Sequence, residues 1–177
     1  AALPEITDRL SGMDAVLLGP GLGRSAELTR LVQAVLSICR VPLVLDADGI
    51  NAAAAHIDVL RGCACPIVLT PHDGEFLRMG GDPKAADRAQ ETMRLADSLH
   101  AVLLLKGSRT LITDGLNIYV NQTGNPGLAT GGSGDVLAGM LVSLLGQHIM
   151  PLEAAAAAAW LHGAAADLAA DELGEYG

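Results

Sequence analysis

The sequence predicts an α/β fold with a mainly parallel sheet covered on both faces by helices. Three observations carry this. Short runs of three to five apolar residues alternate with longer segments of helical periodicity. The apolar runs show no polar alternation, as expected of strands buried on both faces. Each run stops at a cluster of polar residues, which a parallel sheet gathers at the carboxyl ends of its strands, where ligands bind in such folds. At 177 residues, half of them hydrophobic, the chain fits one domain with a sizeable core.

The first apolar run, Ala15 to Leu18, is predicted as a strand ending in the loop GPGLG, Gly19 to Gly23. A helix follows over about Ser25 to Cys39. Pro42 to Leu45 is the next strand, closing on Asp46 and Asp48, with Asp48 or Asn51 placed to cap a short helix. Ile67 to Leu69 closes on TPHDGE, Thr70 to Glu75, where Pro71 ends the strand and Gly74-Glu75 enters a helix. A helix over about Pro83 to Leu99 leads to the strand Ala101 to Leu105, which ends at Lys106. Leu111 to Thr113 and Ile118 to Val120 form a hairpin around Asp114-Gly115. Two helices close the chain, about Gly132 to Leu145 and Leu152 to Asp171; the second is alanine-rich and takes Trp160 and Leu161 as its packing face.

Composition excludes several function classes. The net charge of −9 repels nucleic-acid backbones and anionic lipid, and 2% aromatic residues provide no stacking platform for single strands. Neither nucleic acid nor a membrane is an expected partner. No apolar run is long enough to span a bilayer and no secretory signal opens the chain, so the expected location is cytoplasmic. Cys39, Cys63 and Cys65 match neither a disulfide framework nor zinc spacing and read as ordinary buried thiols. The five histidines are scattered, and no protein metal site is expected.

Any phosphate site must therefore be local, and the stretch NPGLATGGSGDVLAGMLVSLLGQ, Asn125 to Gln147, supplies one. Gly131, Gly132 and Gly134 let backbone N–H groups approach phosphate oxygens, and an apolar helix from Val136 points its positive end back at them. Asp135 falls in the first turn, where it stays ionised and can take a proton from a substrate hydroxyl. The competing reading is a glycine-rich helix start with a helix-favouring acid. GPGLG lacks the dinucleotide spacing G-x-G-x-x-G, which removes a hydride-transferring Rossmann enzyme; the loop is a tight turn or a ligand approach. Asp46 is expected to face the cleft. His72 stands at a strand mouth, as a substrate contact or a structural residue. Lys106-Gly107-Ser108 is not a Walker loop, yet an ammonium at a strand end with Ser108 and Thr110 hydroxyls beside it suits nucleotide phosphates. A plain exposed strand-end lysine is the alternative.

Taken together and in order, GPGLG, LDADGIN, TPHDGEF, LKGSRT, NPGLATGGSGDVLAGML and AAAWLHGAAAD resemble the ADP- or ATP-dependent NAD(P)H-hydrate dehydratases, a branch of the ribokinase-like superfamily. The resemblance runs over nearly the whole chain and implies a ribokinase-like three-layer α/β/α sandwich, residues 1–177 forming one such domain that is incomplete at its N-terminus. It implies repair of NADH or NADPH hydrated on the nicotinamide ring, acting on the S-epimer. ADP or ATP, with Mg2+, phosphorylates the ring hydroxyl, and phosphate is then eliminated. Carried over by motif, Asp135 is the catalytic, hydrate-contacting residue. Lys106, Gly107, Ser108, Arg109, Thr110 and Gly134 contact the nucleotide, and Gly23 and His72 contact the hydrate. The motifs add Gly132 to the nucleotide side and Gly21, Asp46 and Asn125 to the hydrate side. A homotetramer is also implied. The chain departs from the family in Asp73, where TPHPGE has proline, in opening shortly before GPGLG, and in stopping soon after the AAAWLHG helix. Two other readings stand beside this one: a ribokinase-like kinase of a vitamin-precursor alcohol, and a non-catalytic nucleotide-binding module.

Overall fold

Strands of three or four apolar residues must bury both faces, and the computed structural model, which describes residues 2–174, shows how they do so. Six strands form one sheet: β1 (Val16–Leu18), β2 (Leu43–Leu45), β3 (Ile67–Leu69), β4 (Val102–Leu105), β5 (Leu111–Thr113) and β6 (Ile118–Val120). Their spatial order is their chain order. The first four run parallel, in a register that aligns Leu18 with Leu45, Leu45 with Leu69 and Leu69 with Leu103. The β5 and β6 strands add antiparallel, as the hairpin expected at Asp114-Gly115 requires. At its tip the Asp114 carboxylate accepts the N–H groups of Asn117 and Leu116. These amides, Asn117 first, hold its pKa below the usual carboxylate value.

The period of two along each strand divides the core. Leu43, Leu45, Ile67, Leu69, Leu103 and Leu105 face one side, with Val32, Val35 and Leu36 of helix α2 (Ala26–Ile38) and Leu95, Ala96 and Leu99 of helix α6 (Arg88–Leu99). Val44, Val68, Val102, Leu104 and Ile112 face the other, under Leu137, Leu141 and Leu145 of helix α7 (Ser133–Gly146) and Ala154, Ala155 and Ala158 of helix α8 (Pro151–Leu173). Because each crossover advances one strand in the same direction, the crossover helices share one face. The opposite face is left for the last two helices, completing the three-layer sandwich.

Short helices complete the crossovers: α3 (Asp48–Ala54), α4 (Asp58–Arg61) and α5 (Asp73–Arg78). Trp160 and Leu161, expected as the packing face of α8, are exposed, and that helix packs through Ala154, Ala155 and Ala158 instead. Two other differences from the sequence expectation have local causes. Helix α6 starts at Arg88 rather than Pro83, because Asp87 is its N-cap and accepts the N–H of Gln90 at 2.9 Å. Helix α1 (Ala2–Leu10) was not anticipated; Ile6 and Leu10 lie on one side of it and pack against the core beneath α2. Among the described residues no helix is long and apolar enough to cross a membrane.

The close approach of β1 to β2 at their carboxyl ends fixes where the site begins. Asp46 N–H donates to Leu18 C=O at 3.1 Å, and Gly19 takes φ +140° directly against the same strand end. A Cβ on Gly19 would lie 1.7 Å from the Asp46 carbonyl oxygen, which no rotamer relieves. Gly19→Ala is expected to cost on the order of 2–3 kcal/mol in denaturant unfolding. A variant within error of the wild type would contradict this packing.

Candidate active site at the strand ends

Two neighbouring parallel strands, β2 and β3, end level and the third, β4, runs two residues further; the residue after each is polar: Asp46 after β2, Thr70 after β3 and Lys106 after β4. They are bonded to each other. Lys106 Nζ donates to Asp46 Oδ1 at 2.8 Å, and Thr70 Oγ1 donates to the same oxygen at 2.7 Å. Asp46 is buried, at 1% exposure, whereas the Lys106 side chain keeps 23% of its surface open. A buried carboxylate needs such donors to remain charged. Asp46 thus fixes the ammonium in place rather than lining an open cleft.

The ammonium meets the start of α7. A Cβ on Gly134 would lie 3.6 Å from Lys106 Nζ, so glycine here lets the cation stand against the first turn of the helix. Gly132 caps that helix at φ +89° without a side-chain bond, and Ser133 N–H donates to Thr130 C=O at 3.4 Å, so the amides of Gly134 and Asp135 are the first-turn donors that can face a ligand. Arg109 is held at φ +60° in the loop after Lys106, a conformation uncommon for a residue with a Cβ and frequent at ligand sites. Thr110 Oγ1 closes that loop by donating to Gly107 C=O at 3.0 Å.

A cavity of about 730 Å3 opens from this point. Lys106, Gly107, Ser108, Arg109 and Thr110 form one wall, Ser133 and Gly134 the helix end, and His72 and Asn125 the rim. The sequence reading missed the rest of the wall: Asn121 and Thr123 after β6, Leu137 on α7, and Ala159, His162 and Gly163 on α8. Leu137 falls within NPGLATGGSGDVLAGML and Ala159, His162 and Gly163 within AAAWLHGAAAD, but neither motif gave them a role. Asn125 is oriented by donating from Nδ2 to Asp167 Oδ1 at 3.1 Å, while Gly124 N–H donates to Asp167 Oδ2 at 2.8 Å. Burial alone pushes the His162 pKa down, favouring the neutral ring.

His72 caps α5. Its Nδ1 accepts the N–H of Gly74 at 2.9 Å, and its backbone N–H donates to buried Glu75 Oε2 at 2.9 Å. His72 Nε2 lies 3.4 Å from Glu75 Oε1. Asp73, where the family has proline, pairs with Arg88.

Gly21, Gly23, Asp46, Gly132 and Asp135 are not in the cavity wall. Asp135 sits exposed in the first turn of α7, one residue beyond Gly134. The GPGLG loop lies outside the cavity, held by Asp48, whose Oδ2 accepts the N–H of Gly23 at 2.9 Å and whose Oδ1 faces Arg24 Nε at 3.3 Å. Asp48 therefore ties the loop to the first turn of α3, where the sequence suggested a helix cap.

Chemically, the arrangement offers a fixed ammonium, loop amides and a helix N-terminus around one volume, a donor set suited to a polyphosphate. The fit extends to a nucleotide with its Mg2+, since these donors complement phosphate oxygens and leave the cation to the phosphates themselves.

Comparison with known proteins agrees in kind. The sequence model of the NAD(P)H-hydrate dehydratase family matches residues 2–176. The chain is 47% identical to the bifunctional NAD(P)H-hydrate repair enzyme Nnr of Moorella thermoacetica over 98% of its own length and 34% of that protein. It is 40% identical to the ADP-dependent (S)-NAD(P)H-hydrate dehydratase of Neisseria meningitidis over 92% of its length and 57% of that protein. Among solved structures, the ADP/ATP-dependent NAD(P)H-hydrate dehydratase of Bacillus subtilis, co-crystallised with ATP/Mg2+ and soaked with CoA, superposes with TM-score 0.80 at 32% identity, over 97% of this chain and 65% of that one. The chain thus spans about a third of the bifunctional relative.

Two outcomes test the geometry. Removing the Asp46 carboxylate leaves Lys106 beside a buried vacancy, so Asp46→Ala is expected to cost about 3 kcal/mol. Adding Lys106→Met to that variant should cost little more, because the pair acts as a unit in a double-mutant cycle; full additivity would show that the two are uncoupled. The lowered His162 pKa stabilises the fold above the unfolded value of about 6.5, and this contribution is lost as pH falls from there through the folded value. Unfolding titrations across that window should show a weaker acid-side decline in His162→Gln than in the wild type; identical profiles would remove His162 from the linkage.

Proposed function

The chain belongs to the NAD(P)H-hydrate dehydratase family, and from that premise we propose that it dehydrates the S-epimer of hydrated NADH or NADPH at the expense of ADP or ATP. The observation that carries this reading is the position of Lys106 Nζ, bonded to Asp46 and set against the first turn of α7 at the mouth of a nucleotide-sized cavity. Such a cation serves phosphoryl transfer, a reaction governed by positioning and charge neutralisation.

In this reading the nucleotide occupies the cavity, its phosphates on Lys106, on the loop Gly107 to Thr110, and on the amides of Gly132 and Gly134. Mg2+, when bound with the nucleotide, adds positive charge at the phosphates. The hydrated ring lies on the outer side of α7, where Asp135 is exposed, bordered by His72, Asn125 and the loop containing Gly21 and Gly23. Asp46 acts on the substrates through Lys106.

Asp135 takes the proton of the ring hydroxyl as its oxygen attacks the terminal phosphorus. The new O–P bond forms as the anhydride P–O bond breaks, and a hydroxyl becomes a phosphate leaving group. The lone pair of the ring nitrogen then expels phosphate, and loss of a proton from the adjacent carbon restores the dihydropyridine. A homo-oligomeric assembly accompanies this reading, supported by the family resemblance.

The test is turnover of the hydrate with ADP or ATP, followed by recovery of reduced nicotinamide absorbance and release of inorganic phosphate. Asp135→Asn is expected to lower the rate by about 10² to 10⁴ while leaving nucleotide affinity close to that of the wild type. Turnover retained in this variant removes Asp135 as the base. Accumulation of a stable phosphate ester from an alcohol would indicate a small-molecule kinase, and nucleotide binding without turnover a binding module.

A further inference from the structure

The three cysteines are scattered through the sequence at 39, 63 and 65, yet the fold brings them together at the opposite end of the sheet from the strand-end site. Cys39 caps the C-terminus of α2, Cys63 follows α4, and Cys65 precedes β3. Cys63 Sγ lies 3.3 Å from Cys65 Sγ and donates to Leu36 C=O at 3.0 Å, while the Cys39 thiol of the same apolar cluster donates to Val41 C=O at 3.3 Å. Cys63 is half-buried, whereas Cys39 and Cys65 are buried. Arg40 stands beside this group with its Nη1 anchored on Ser37 C=O at 3.1 Å and Cys39 C=O at 2.8 Å.

We propose that Cys63 is an oxidation site for hydroperoxides, with Cys65 as the thiol that resolves it to an intramolecular disulfide. A reactive cysteine needs thiolate character and partial exposure; Cys63 is half-buried with its Sγ against the Cys65 thiol, and its own thiol donates to Leu36 C=O at 3.0 Å, a proton it gives up on reaction. The Cys65 thiol first, then the backbone N–H groups of Cys65 and Ala64 and the charge of Arg40, hold the Cys63 thiol well below the ordinary cysteine value against the opposing effect of burial. Hydrogen bonds to Cys39 and Cys63 drive Cys65 the other way, so that it remains the protonated partner of the pair.

The chemistry balances with the peroxide as oxidant. The Cys63 thiolate attacks one peroxide oxygen, the O–O bond breaks, and after protonation water or an alcohol leaves with Cys63 as a sulfenic acid. The Cys65 sulfur attacks the sulfenic sulfur, the S–O bond breaks, and a second water leaves with the oxygen. The two thiols lose two electrons together and the peroxide gains them. The partner sulfur is already in contact at 3.3 Å, so closure requires a shift of the short Gly62–Pro66 connection rather than of the core strands.

The experiment uses the full reduced chain and hydrogen peroxide, read by intact mass and peptide mapping. The expected product is a monomer lighter by two hydrogens, with Cys63 and Cys65 joined. Cys65→Ser should stop at a Cys63 sulfenic acid trapped by dimedone, and Cys63→Ser should slow peroxide consumption by about tenfold or more. A measurement that needs no variant is the pH profile of iodoacetamide alkylation at Cys63, whose midpoint is expected below that of free cysteine. The proposal is overturned if Cys63 reacts with peroxide no faster than free cysteine, if the disulfide joins two chains or engages Cys39 instead, or if the alkylation midpoint matches the free thiol.

Discussion

The site depends on one buried carboxylate. Asp46 is enclosed at the end of a central strand, and its charge is tolerated only because a hydroxyl and an ammonium converge on a single oxygen. Those partners come from the two next strands, Thr70 at the end of β3 and Lys106 at the end of β4. A buried ion pair of this kind is weak evidence of stability, since apolar residues of similar volume can serve as well or better. Its value lies in position: the ammonium is held at the helix end with part of its surface open to the cavity.

Topology makes that convergence possible. Consecutive parallel strands bring their following residues to the same end of the sheet, and crossovers advancing in one direction keep their helices on one face. The other face is left to α7 and α8. The α7 helix therefore lies across the sheet with its N-terminus returning to the strand ends, where Gly134 in its first turn stands against Lys106. The β5–β6 hairpin and α8 close the remaining side, and Asp167 on α8 holds Gly124 and Asn125 at the rim. One end of the sheet thus carries the cavity and the other the thiol cluster.

The strands were legible because burial on both faces demands uninterrupted apolar runs, and their polar endings located the site. Lys106 through Thr110 and Gly134 were legible because glycine-rich and lysine-bearing strand ends have few other uses. The roles of His162, Asn121, Thr123 and Asp167 were not: the first three line the cavity from α8 and from the segment after β6, Asp167 holds its rim, and the motif AAAWLHGAAAD contains His162 and Asp167 without giving either a role. The bond from Asp46 to Lys106 spans 60 positions, and residue types alone suggested an open carboxylate there. The cysteine cluster was hidden in the same way, since Cys39, Cys63 and Cys65 join one apolar cluster only after α2 and β3 have packed. Local chemistry was thus readable wherever neighbours in sequence are neighbours in space, and unreadable where tertiary packing chose the partners.

The most direct measurement of the central claim is the position of a bound nucleotide, obtained by crystallography of the chain with ADP. The account predicts the terminal phosphate within hydrogen-bond distance of Lys106 Nζ and of the N–H groups that begin α7, with the Asp46–Lys106 pair intact. Phosphates seated elsewhere on the molecule, with Lys106 facing only Asp46, would contradict it.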